Sequence, residues 1–158
     1  MSMRMEPRSS PYERGLAAVE RNALADAIAL FTEAVEAGDR PAFALSKRGV
    51  CKVRSGDRTG AAHDFAAALD RDPRCVPALV NLGNLALEAN MLEEARARYE
   101  SAMRIDASSS AAHHNLGVVL RREGKISESV RELRTAASLE ARPSRLVDRW
   151  KAFWRRRG

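Results

Sequence analysis

Apolar and polar positions along this chain follow a helical period, and that helical pattern itself returns at a longer one. Leu79, Leu82, Leu85 and Ala86 lie three and four residues apart or adjacent, and beyond Asn90 the residues Leu92, Ala95, Tyr99 and Ala102 repeat the spacing. Residues so spaced share one face of a helix, so the stretch reads as two helices joined by a turn. The tripeptide Asn-Leu-Gly at 81–83 comes back at 115–117, a period of 34.

Counting back by 34 from Gly117 lands on Gly83, Gly49 and Gly15. Four further columns keep their character. Seven past the glycines stand Asn22, Gly56, Asn90 and Gly124; twelve past, Ala27, Ala61, Ala95 and Ser129; sixteen past, Phe31, Phe65, Tyr99 and Leu133; nineteen past, Ala34, Ala68, Ala102 and Ala136. Asn and Gly suit the residue after a helix, where the chain enters the left-handed region to turn back. The small columns let two antiparallel helices approach closely, and the bulky column fills the remaining space. A glycine inside a helix costs about 1 kcal/mol relative to alanine, so its fourfold return implies that packing needs the missing methyl group.

These columns, clearest in "ALVNLGNLALEANMLEEARARYESAMRID" and "AHHNLGVVLRREGKISESVRELRTAASLE" and supported by the closing pair Asp72-Pro73, resemble the tetratricopeptide repeat (TPR) family. The resemblance implies an all-α fold, a TPR-type right-handed superhelix of four helix-turn-helix repeats at 8–41, 42–75, 76–109 and 110–141. A flexible N-terminus at 1–7 and a basic C-terminal capping helix and tail at 142–158 complete the expected organisation. An array closes its last apolar face with an atypical cap, and in the 34-residue register Leu146, Val147, Trp150, Phe153 and Trp154 occupy positions that pack in the preceding first helices. The first two units depart from the pattern. Pro11 and Arg14, then Arg48 and Lys52, stand where first helices normally pack. Pro11 fits a first helical turn capped by Ser9 or Ser10. Arg48 and Lys52 are expected to lay their stems on apolar surface with their charges in water, leaving the N-terminal half the weaker one.

Composition is that of a folded chain, 45% apolar and 30% charged. The net charge of +6 is confined to residues 142–158, where seven basic side chains face Asp148 alone. No run of 18 apolar residues exists, and the opening "MSMRMEPRSS" lacks the apolar stretch of a secretory signal, which predicts a cytoplasmic protein. Cys51 and Cys75, outside any C-x-x-C, read as two unpaired thiols in a reducing compartment. His113 and His114 point in different directions on a helix and His63 belongs to another unit, so no metal site is expected. Glu93 and Glu94 have Arg96 and Arg98 at i+3 and i+4 as surface partners. Neither a phosphate-binding glycine loop nor G-x-S-x-G is present. The sequence thus predicts a protein that is not an enzyme and uses no cofactor.

What the resemblance implies about function is a binding face. First helices of the family line a concave groove that takes extended segments or helices of partner proteins. Carried onto this chain, the groove takes Tyr12 and Leu16 from the first unit and Lys47, Val50 and Arg54 from the second. Val80, Asn81 and Asn84 follow from the third, His114, Asn115, Val118 and Arg122 from the fourth, and Arg145 and Arg149 from the cap. Valines dominate its middle and bases gather at its C-terminal end, so a ligand with an apolar centre and an acidic end would complement it. Chaperone-binding members of the family grip a terminal carboxylate with five residues. Asn84, Asn115, Arg145 and Arg149 match four of those positions, while Val80 replaces a lysine. The expectation is a scaffold or adaptor holding a protein or peptide segment. The alternatives are docking of the basic, Trp-containing helix on a membrane surface or nucleic acid, or a homo-oligomeric scaffold.

Overall fold

The computed structural model describes residues 9–141, which form eight α-helices and, among the described residues, no strand. They are α1 (Pro11–Glu20), α2 (Leu24–Glu36), α3 (Pro41–Arg54), α4 (Arg58–Arg71), α5 (Val76–Glu88), α6 (Leu92–Ile105), α7 (Ser110–Arg122) and α8 (Ile126–Glu140). The terminus expected at 1–7 and the cap expected at 142–158 lie outside the described residues.

Local sequence sets the helix ends. Pro11, Pro41 and Pro77 sit in the first turns of α1, α3 and α5, where an N–H has no intrahelical partner to lose. Ser10 and Glu13 close a capping box at α1, and the Asp57 carboxylate accepts the Gly60 N–H at 2.8 Å to start α4. Each hairpin reverses where the column of Asn and Gly predicts it. Asn22, Gly56, Asn90 and Gly124 have φ of 58, 90, 59 and 78°.

Helices pair as α1/α2, α3/α4, α5/α6 and α7/α8, and the second helix of each pair packs on the first helix of the next. α3 also touches α5, and α5 touches α7, so first helices line one side of a superhelical array. A Cβ placed at Gly49 or Gly83 would stand 2.5 Å from a ring carbon of Phe65 or Tyr99, which is why neither position admits a methyl group. In the fourth hairpin the same close approach is made by Leu133 against Gly117. Phe31, Phe65 and Tyr99 are almost wholly buried, and sealing each from water stabilises the fold by about 2–3 kcal/mol. Three apolar clusters result, each joining a hairpin to the next first helix. Phe31 meets Ala44 and Cys51, Phe65 meets Cys75 and Ala78, and Tyr99 meets Leu116 and Val119.

Arg48 and Lys52 correct one expectation. Their charges are not simply left in water but converge on Asp64, whose side chain is 5% exposed. Arg48 donates from Nε and Nη2 to the two carboxylate oxygens at 2.9 and 2.7 Å, Lys52 Nζ lies 2.9 Å from Oδ2, and Arg48 Nη1 reaches Thr32 Oγ1 at 2.9 Å. Burial pushes the Asp64 carboxyl up, but the two bases outweigh it and hold the group below the usual carboxylate range. Loss of one partner, not possession of the set, is what would weaken this half of the array. Surface pairing also differs in detail. Arg98 does meet Glu94 at 3.6 Å, whereas Arg96 turns to Glu100 and, across to α7, Glu123.

Candidate peptide-binding face

The side lined by α3, α5 and α7 gathers most of the residues assigned to the groove, in three states of burial. Lys47, Arg54, His114 and Arg122 are exposed, while Leu16, Val50, Asn81, Asn84, Asn115 and Val118 are half-buried. Tyr12 and Val80 are corrections: at 7% and 8% exposure they belong to the core rather than to an open wall. Tyr12 is closed over by the α2–α3 turn. Its ring packs on Phe31 with centroids 5.8 Å apart, the Arg40 guanidinium lies 5.0 Å from its centroid, and its N–H donates to Asp39 at 2.9 Å. Val80 joins the cluster around Tyr99. Arg145 and Arg149 lie outside the described residues.

The middle of the face is tied together by one short chain of hydrogen bonds. Tyr99 Oη donates to Asn84 Oδ1 at 2.8 Å, and Asn115 Nδ2 donates to the same oxygen at 2.7 Å. Tyr99 thus fixes an amide on α5, and that amide fixes another on α7. Burial pushes the Tyr99 hydroxyl up to about 12, so it remains a neutral donor at any ordinary pH. At the rim, Arg54 donates to Asn22 Oδ1 at 2.7 Å and Arg122 to the Leu87 carbonyl at 3.1 Å, which orients both guanidinium groups.

Two contributors escape a reading by columns. Phe43 is 44% exposed on α3, one turn before Lys47 and on the same helical face, an apolar surface at the N-terminal end of the helix. Its i−4 spacing to Lys47 is the feature that reveals it. Tyr99 acts from behind, as a ring in a packing column whose hydroxyl alone reaches the face.

Three groups able to do chemistry, His113, Cys51 and Cys75, are buried in the packing. His113 is buried, with Nδ1 2.7 Å from Glu132 Oε2 and Nε2 3.0 Å from the Ala107 carbonyl, so both ring nitrogens are engaged. Cys51 and Cys75 are free thiols at 1% exposure, and burial raises both above the usual thiol range. Among the described residues no group of three His, Cys, Asp or Glu side chains is placed to hold a metal, and no helix is long and apolar enough to cross a membrane.

A tetratricopeptide repeat profile matches residues 52–116. The probable UDP-N-acetylglucosamine--peptide N-acetylglucosaminyltransferase SPINDLY of Solanum lycopersicum is 30% identical over 100 residues, which are 63% of this chain and 11% of that protein. The chain therefore spans about a tenth of the length of that relative. MamA superposes with a TM-score of 0.69 at 18% identity, covering 82% of this chain and 76% of its own. YrrB, described as a TPR protein with an unusual peptide-binding site, superposes with a TM-score of 0.64 at 19% identity over 82% of this chain and 66% of its own. At such identities the likeness is one of fold. It is the fold that the 34-residue period implies, an array of tetratricopeptide repeats.

Proposed function

We propose that the array is a non-enzymatic scaffold that holds a segment of another polypeptide along α3, α5 and α7. The observation that carries this reading is the chain from Tyr99 through Asn84 to Asn115. It fixes two amides on successive first helices, while Asn84 Nδ2 and Asn115 Oδ1 make no hydrogen bond among the described residues. Donors and an acceptor held side by side match the N–H and C=O of a bound backbone. Phe43 offers an apolar anchor at one end. Arg121 and Arg122 place positive charge at the other, where an acidic terminus or side chain of the ligand fits. The register would add Arg145 and Arg149 to that end. A modest interface of this kind corresponds to a Kd of about 1 μM, roughly −8 kcal/mol.

Peptides selected from a random display library against the intact chain test the reading. In the double variant Phe43→Ala/Asn115→Ala, binding of a selected peptide should weaken by roughly 30-fold, about 2 kcal/mol, with far-UV circular dichroism unchanged. Asn84 stays in place because its removal would orphan the buried Tyr99 hydroxyl. A library that yields no binder, or binders indifferent to the double substitution, would remove this face from the account.

A further inference from the structure

The four first helices end in a row of charges whose sign alternates. Glu20, Arg54, Glu88 and Arg122 are the last residues of α1, α3, α5 and α7, 34 positions apart and all exposed. Packing does not ask for this order. The C-terminal end of a helix carries the negative end of its dipole, which favours a base and disfavours an acid. Glu20 and Glu88 therefore stand against the local rule, at the same place in two helices. Residues that break a local rule without a packing return point to function.

The bases in the row are oriented but not neutralised. Arg54 donates to the Asn22 amide oxygen at 2.7 Å and Arg122 to the Leu87 carbonyl at 3.1 Å, both uncharged acceptors on the preceding hairpin, and neither base forms an ion pair among the described residues. Glu88 has Arg58 at 2.9 Å, but the two side chains are 49% and 62% exposed, and a carboxylate accepts from more than one donor. Each member of the row stands one helical turn beyond a half-buried residue of the binding face, Leu16, Val50, Asn84 and Val118 in order, so the row borders that face. α3 touches α5 and α5 touches α7, and helices in contact stand about 8–10 Å apart. Three residues of an extended chain cover about 10 Å.

We infer that the row reads an extended segment in which opposite charges alternate at every third residue, a base against Glu20 and Glu88 and an acid against Arg54 and Arg122. The inference rests on the proposed function, whose amides hold an extended backbone, and adds what they do not supply. Asparagine amides accept a backbone running either way. A row of four alternating charges does not, since reversing the ligand sets like charges against each other at every helix end. The same order also suits a second copy turned about a two-fold axis, but the amides one turn inside the row favour a segment that reaches into the groove, which a second rigid array does not.

Two labelled peptides of one composition test this by fluorescence anisotropy at low salt: Lys-Thr-Val-Glu-Thr-Val-Lys-Thr-Val-Glu, with alternating charges, and the block isomer Lys-Thr-Val-Lys-Thr-Val-Glu-Thr-Val-Glu. The parent should bind the alternating peptide about tenfold more tightly, the scale of a few exposed ion pairs, and about 0.5 M salt should erase the difference. The exchange Arg54→Glu/Glu88→Arg turns the row into two acids followed by two bases at constant net charge, and should reverse the preference while far-UV dichroism stays that of the parent. Equal binding of the two peptides, no binding of either, or a preference that the exchange leaves in place would overturn the inference. So would a parent that is dimeric in light scattering and made monomeric by Arg54→Glu, which would give the row to a second copy. A library-selected peptide that needs Phe43 and Asn115 but ignores the exchange leaves the proposed function standing and removes the charge order alone.

Discussion

Gly83→Ala adds one methyl group to α5, at the point where its carbon would lie 2.5 Å from Tyr99 Cε1 and 2.9 Å from Cδ1 and Cζ. Carbon atoms in contact prefer about 3.5–4.0 Å, so ring or helix must yield by about 1 Å. The ring has nowhere to go. Tyr99 is 0% exposed, and its hydroxyl is anchored on Asn84 Oδ1 at 2.8 Å, a bond that a shift of this size breaks. Overpacking costs about 1–3 kcal/mol and an unsatisfied buried hydroxyl about 1–3 kcal/mol, whereas replacing glycine in a helix returns about 1 kcal/mol. The helix relieves part of the strain by moving apart, so a net destabilisation of about 2 kcal/mol is expected.

Urea unfolding followed by far-UV dichroism measures the effect. The double variant Gly83→Ala/Tyr99→Ala separates its cause, because removing the ring leaves room for the new methyl group, which a leucine would not do, since a Cβ at Gly117 would stand 2.8 Å from Leu133. Its loss should fall short of the sum of the two single losses by more than about 0.5 kcal/mol, the scale of coupling between touching residues. A Gly83→Ala variant as stable as its parent, or strict additivity in the double, would refute the idea that the glycine column exists to admit the ring.

Asp64→Asn leaves Arg48 and Lys52 facing an uncharged amide and should cost about 3 kcal/mol in the same assay. Because the folded Asp64 carboxyl lies below its ordinary value, its stabilisation is complete above that value and is lost as pH falls through the folded one; thermal melts taken from pH 7 down to pH 3 should show a steeper acid loss in the parent than in Asp64→Asn. The shielded thiols of Cys51 and Cys75 should resist a disulfide-exchange reagent in native buffer and react fully in guanidinium, and rapid native labelling would contradict their burial. Ser10→Ala removes the cap of α1 and should cost about 1 kcal/mol, seen as faster hydrogen exchange confined to the first turns of α1.

Features that recur in phase are legible in the sequence, since four units report the same constraint. The ring over each glycine and the left-handed residue in each hairpin are of this kind. Contacts made by one unit alone are not. Arg48 and Asp64 stand 16 residues apart, the same offset that brings Phe65 onto Gly49, so the contact is implicit in the register; treating Arg48 only as a departure from an apolar column hides it. Asp64 and Glu132 occupy the same column two units apart, and each is held by a base on the first helix of its own hairpin, Arg48 in one and His113 in the other. The acid keeps its column but its base comes from a different one each time, 16 residues away in one hairpin and 19 in the other, so the pairing itself does not recur in phase. Tyr12 is hidden for a related reason. The turn over it reverses through Gly38 and Arg40 at φ of 70 and 50°, a turn the other inter-hairpin links do not share.

The same distinction orders the binding face. Residues that keep the phase are already committed to packing, as the buried Val80 illustrates, and a partner cannot reach them without opening the array. Asn84 and Asn115 form an intermediate class, tied to Tyr99 yet retaining unpaired polar atoms among the described residues. Phe43, Lys47, His114 and Arg122 break the phase and remain exposed. On the proposed reading, recognition of one partner over another comes from these aperiodic side chains, because the periodic ones present nearly the same surface in every unit. An array in which Phe43 and Lys47 are exchanged for the residues in register on α5, Pro77 and Asn81, should keep its stability and change its choice of peptide. Altered stability with unaltered choice would mean that packing and recognition are not divided in this way.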